Sequence, residues 1–146
     1  MITDKLLRVS EDQAVTATAV STNTIDLGVA RDIGQGMDLY MVFTVTENFA
    51  TLTSLTIDVI TDDNAALSSG AVNASTGAIT LASGGLAAGQ QYAVRINPDI
   101  AGVAERYMGA KYTVSGSNAT AGKITADIVT DIQDGKKFYA SGFTVA

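Results

Sequence analysis

Leu39-Tyr40-Met41-Val42-Phe43-Thr44-Val45-Thr46 is the stretch whose reading decides the fold. In an extended chain Leu39, Met41, Phe43 and Val45 fall on one side, and Tyr40, Val42, Thr44 and Thr46 on the other. The second side is itself partly apolar, which predicts a central strand covered on both faces. Thr53 to Thr61 repeats the pattern more strictly, with Leu55, Ile57 and Val59 facing in and Ser54, Thr56 and Asp58 facing out. Further strands are expected at Ala14 to Val20, Thr24 to Leu27, Ala78 to Leu81, Gln91 to Ile96, Arg106 to Val114, Lys123 to Thr130 and Gly142 to Val145. A helix reading fails because Thr and Gly recur and no stretch sustains apolar spacing at three and four residues. Only Asp99 to Arg106 has room for a helical turn.

Turn formers separate these runs: Gly34-Gln35-Gly36, Asp62-Asp63-Asn64, Ser68-Ser69-Gly70, Ser83-Gly84-Gly85, Asn97-Pro98-Asp99, Ser115-Gly116-Ser117-Asn118 and Asp134-Gly135. The single proline, Pro98, follows the Gln91 to Ile96 run and costs no ladder hydrogen bond there. Short strands at this spacing read as an all-β sandwich or barrel, and a count near eight favours a jelly roll with irregular, extended terminal arms. No linker, internal repeat or composition shift divides residues 1–146, so one domain is expected.

Hydrophobic residues make up 47% of the chain and charged residues only 16%, against roughly 25% charged in ordinary soluble domains. Much of the surface must then be Thr, Ser, Ala and Gly, which desolvates at less cost than unpaired charge. Such a surface suits a protein that lives in an assembly. A net charge of -6, with Lys136 and Lys137 the only adjacent basic pair, argues against nucleic acid as a partner; the same acidity serves simple solubility. No run is long and apolar enough for a membrane span, and the opening residues do not read as a signal peptide. With no cysteine, folding in a reducing cytoplasm is the expectation.

The sequence contains no histidine, which removes Ser-His-Asp and Cys-His catalysis, His-liganded metals and imidazole acid–base chemistry. A carboxylate pair, a lysine base or a carboxylate-bound cation is the chemistry left. Asp62, Asp63 and Asn64 are the densest acidic group, but they sit at a strand end where these residues form turns. Calcium on Asp58, Asp62, Asp63 and Asn64 would use a spacing that matches no EF-hand. Gly34-Gln35-Gly36 and Gly84-Gly85-Leu86-Ala87-Ala88-Gly89 lack the rest of any nucleotide-binding motif and read as turns. No catalytic residue, cofactor or metal is therefore assigned. Arg95, Arg106 and Lys111 read either as a basic face or as partners of Asp127 and its neighbours across the sheet, and pairing is the expectation. Tyr107 and Tyr112, five apart on one strand, must lie on opposite faces, one in the core and the other free for contact.

The ends of the chain carry a resemblance. Met1-Ile2-Thr3-Asp4-Lys5-Leu6-Leu7-Arg8-Val9-Ser10, with Ala14 to Ser21 after it, the interior Thr61 to Ser69, and the close Ala126 to Phe143 together resemble the jelly-roll capsid cement (decoration) proteins of tailed bacteriophages. Asn73 to Ala93 is the least similar part. The resemblance implies a virion protein on the capsid exterior, made in the host bacterial cytoplasm, paired as a homodimer and bound to the major capsid protein at subunit junctions. It carries over no contact residues. The terminal arms are expected to supply them, Leu6 and Leu7 at one end and Phe138, Tyr139 and Phe143 at the other. The opposing expectation is that these five side chains close the jelly-roll core. A phage tail or surface module recognising carbohydrate is the main alternative function, and a small carboxylate-only hydrolase is a second.

Overall fold

The computed structural model describes residues 2–30, 32–33, 36–98 and 105–132. Within them the chain forms seven antiparallel strands: β1 (Arg8–Ala14), β2 (Ala19–Val20), β3 (Ile25–Asp26), β4 (Tyr40–Asp62), β5 (Ala71–Thr80), β6 (Gln91–Arg95) and β7 (Tyr107–Val129). Two of them, β4 and β7, are 23 residues long and pair with each other from Tyr40↔Val129 to Asp62↔Tyr107. Both bend midway, so each serves two layers. The register slips four times between Val45 and Ser54, where Thr51 has a positive φ of 73° and, on the facing strand, Gly116 and Gly122 have φ of 83° and 138°. Bulges of this kind let a strand turn the corner from one sheet to the next.

One layer is β1, the second half of β7, the first half of β4, and β6. The other is β2 with β3, the first half of β7, the second half of β4, and β5. Counting each half of the bent strands gives eight runs in two four-stranded layers, and successive runs alternate between layers except at the hairpin of the second half of β4 with β5, which stays within one layer. That is the jelly-roll order. The layers face each other: Phe43 of one meets Tyr112 of the other edge-on at 6.4 Å, and the Asn23 amide donates to the Val9 carbonyl at 2.9 Å. The core between them holds Met41, Phe43, Val45, Leu55, Ile57, Val59, Tyr112 and Ile124 with their neighbours, which are the inward positions the alternation marks.

The expected strands at 39–46 and 53–61 are the two halves of β4, and those at 106–114 and 123–130 are the two halves of β7. The strand expected over 14–20 is instead the end of β1, a bend, and β2. Its predecessor β1 hides because Arg8, Glu11 and Asp12 interrupt the alternation, and two register slips with Asp12 at φ 43° break its period. In β5 the strand begins at Ala71 rather than Ala78. Its small polar residues have little strand preference of their own, and β4 templates them. Glu105 and Arg106, within the span offered as a helical turn, are not helical; the rest of that span and the strand expected at 142–145 lie outside the described residues. Of the arms, the N-terminal one is shorter than its irregular sequence implied, since the ladder starts at Arg8.

A second, smaller apolar contact covers the outer face of the β5-side layer. Leu67 is buried but stands outside the central core, and a side chain at Gly109 would collide with Leu67 Cδ1 at 2.5 Å and Ser21 Oγ at 2.6 Å. The absence of a Cβ at Gly109 is thus what lets the loop after β4 lie down on the sheet.

Candidate contact surface

The N-terminal residues are built as a presented knob. Lys5–Leu7 form one 3-10 turn, capped by Asp4, whose Oδ1 accepts from the Leu6 amide at 2.9 Å. An Asp at this place satisfies an amide that the short turn leaves free. Behind the turn runs a chain of charges. Arg8 Nε donates to Asp127 Oδ1 at 2.8 Å, its Nη1 donates to Glu11 Oε1 at 3.1 Å, and Lys5 Nζ lies 3.9 Å from Glu11 Oε2. Asp127 is buried, and the network fixes the root of the knob to β7. The side chains carried on it face water: Ile2 is 94% exposed, Leu6 84% and Leu7 38%. At this exposure Leu6 does not close the core. Phe138, Tyr139 and Phe143 lie outside the described residues.

Of the three basic residues, Arg95 and Arg106 form ion pairs, with partners that differ from those expected. Arg106 forks onto Asp26, with Nε and Nη2 each 2.7 Å from a carboxylate oxygen, and this pulls the Asp26 carboxyl down to about 2. Arg95 Nη2 donates to Asp38 at 2.6 Å, which lowers the Asp38 pKa. Lys111 stands opposite Asp58 in the ladder. Asp127 is taken by Arg8, a partner that the reading of Arg95, Arg106 and Lys111 did not include. The signal was present in the sequence as Arg8 in a strand, but the strand itself was not legible.

Asp62 behaves as a turn former. Its carboxylate accepts from the amides of Asn64 at 3.1 Å and Ser69 at 2.8 Å and from the Ser69 hydroxyl at 3.3 Å. The Ser69 amide is the largest influence lowering its pKa, with burial opposing and the Asn64 amide assisting. A carboxylate so engaged within its own loop has little left for a substrate or cation, and among the described residues no group of three acidic side chains is placed to hold a metal ion. Glu105 sits in the field of Asp62 and Asp63, and burial, then those two charges, raise its pKa. Its Oε2 is buried without a hydrogen-bond partner.

Tyr112 is the core member of the tyrosine pair, fully buried with its hydroxyl 2.7 Å from Ser10 Oγ. Tyr107 is on the other face, half-buried, with the Arg106 guanidinium 5.0 Å from its ring centre. The opposite-face expectation therefore holds, and it is Tyr107 that remains near the surface.

A family model described as Bbp16 matches residues 9–128. The chain belongs to the Bbp16 family. The Bbp16 match begins inside β1 and ends one residue before the end of β7, so it spans every strand described above and leaves out the exposed knob. No curated protein is matched by the chain. In this Bbp16-family chain the matched region is thus the jelly roll itself, and the knob lies just outside it.

Proposed function

We propose that this chain is a structural virion protein that binds the outer surface of an icosahedral phage capsid and stabilises it by bridging major capsid protein subunits. The observation that carries the reading is the knob: Leu6, 84% exposed, is held in place by a capped turn and an ion-pair network instead of trailing as a loose end. An apolar side chain fixed in advance in its presented position loses little conformational freedom on docking, so more of its burial energy survives as affinity. The low charge content supports the same reading, because a Thr- and Ser-rich surface is easily dehydrated at a contact.

The protein acts as a homodimer on the capsid exterior after synthesis in the bacterial cytoplasm. Two modest contacts joined in one dimer hold more firmly than either alone through effective concentration. Cementing then means that each bridging contact must be lost before neighbouring capsid subunits separate. Thermal rupture of shells with and without bound protein tests this. Decorated shells should release their contents at the higher temperature; equal rupture temperatures, with the protein demonstrably bound, would refute the proposal.

A further inference from the structure

The two ends of the sandwich differ. At one, which is the open end, the strands start and finish: Arg8 of β1, Tyr40 and Asp62 of β4, Ala71 of β5, Arg95 of β6, and Tyr107 and Val129 of β7 share it by register. Cross-layer bonds tie this end together, Asn23 to Val9 and Asn73 Nδ2 to the Asn97 carbonyl at 3.0 Å. At the other, the corner end, β4 and β7 bend, and the bonds Ala119 to Thr16 and Phe49 to Leu86 close it.

Among the described residues, the large apolar side chains left exposed are Ile2, Leu6, Leu7, Val29, Met37 and Val72. All six belong to the open end: three precede Arg8, Val29 follows β3, Met37 precedes Asp38, and Val72 is the second residue of β5. Single exposed apolar residues are ordinary, but their segregation to one end marks a contact region. The corner end presents Thr, Ser, Gly and Asn instead, with the ion pair Lys123–Glu47 at 2.7 Å.

Charge segregates with them. The open-end arginines Arg8, Arg95 and Arg106 are each already held by a carboxylate, while among the described residues the exposed Asp63 and the half-buried Glu105 have no ion-pair partner, and Glu105 Oε2 has no hydrogen-bond partner either. The open end is therefore apolar and acidic. Two such ends repel each other, which disfavours a second copy as the occupant. We infer that the open end docks onto a protein surface with apolar pockets in a basic rim, while the corner end points away from it.

This rests on the cement reading, in which the major capsid protein supplies that surface. Co-sedimentation of the full-length chain with undecorated shells of the major capsid protein tests both. Leu6→Asp and Met37→Asp at the open end should each weaken binding roughly tenfold or more, from lost apolar burial and from a carboxylate forced into an apolar pocket. Ala17→Asp and Ser117→Asp at the corner end should stay within about twofold of wild type by the same reckoning, since nothing is buried there. Wild-type binding should weaken as salt rises. Shells that fail to bind wild type overturn the cement reading and this inference together. Wild type that binds, with corner-end variants weakened and open-end variants intact, overturns the inference alone. So does loss of a homodimer in Leu6→Asp or Met37→Asp by sedimentation equilibrium, since a second copy would then be the occupant. All four positions are exposed, and an unchanged urea midpoint for each variant separates docking from folding.

Discussion

Removing the Tyr112 hydroxyl and removing its partner Ser10 should have unequal costs, although both delete one hydrogen bond. Ser10 Oγ lies 2.7 Å from Gln13 Oε1 and 2.7 Å from the Tyr112 hydroxyl. Gln13 Oε1 can only accept, so the Ser10 proton goes to it and the Tyr112 proton goes to Ser10 Oγ. In Tyr112→Phe the Ser10 hydroxyl still donates to Gln13, and only an acceptor lone pair is left empty, at about 0.5–1.5 kcal/mol. In Ser10→Ala the Tyr112 hydroxyl remains in the core with no acceptor, a buried unsatisfied donor costing about 1–3 kcal/mol. Urea unfolding with an unchanged slope measures both. Ser10→Ala should be the less stable variant, and a double-mutant cycle should return a coupling of about 1 kcal/mol. Tyr112→Phe proving the costlier of the two would refute the proton placement. The same pair predicts an alkaline limit. Burial raises the Tyr112 pKa well above the ordinary tyrosine value, the Ser10 bond offsetting only part. Above about pH 10 the unfolded chain loses this proton while the folded chain keeps it, so stability falls as pH rises. Tyr112→Phe should flatten that fall.

At acid pH the sign reverses. Asp26, Asp38 and Asp62 have lowered folded pKa values, so their contribution is present above the ordinary carboxylate range and is lost as pH falls through and below it; urea midpoints between about pH 5 and pH 2 should decline, less steeply in Asp62→Asn. Arg8→Ala should destabilise by about 1–3 kcal/mol through the carboxylate of buried Asp127 left unpaired; the paired change Arg8→Met with Asp127→Leu should recover part of that, and no recovery would remove the ion pair as the cause. Gly122→Ala should be among the most harmful single changes, because its φ of 138° disfavours any side chain and the new Cβ meets the Phe49 ring; a loss of more than about 2 kcal/mol by thermal melting is expected, and near-wild-type stability would contradict the corner geometry.

Legibility varied along the chain for physical reasons. β4 and β7 could be read because both faces of a central strand are apolar or β-branched, which leaves a period of two in the sequence. β1 and β5 could not, because edge strands carry charges, bulges and small residues and take their conformation from a neighbour. The turn role of Asp62 was visible from residue type and position alone. Its partner Ser69 and the nearby Glu105 were not, since loop closure and the β7 register bring them together.

Local periodicity, turn chemistry and the lack of His and Cys depend only on residue identity and spacing, and so the sequence by itself determined an all-β chain of about eight runs with a short menu of possible chemistry. Which residues pair across the layers depends on contacts between positions far apart in the chain. Only the tertiary structure could decide that Arg8 takes Asp127, that Tyr112 rather than Tyr107 is core, and that Leu6 stands in water. The exposed apolar side chains are scattered through the sequence from Ile2 to Val72 and carry no local signal; the jelly-roll register alone gathers them at one end.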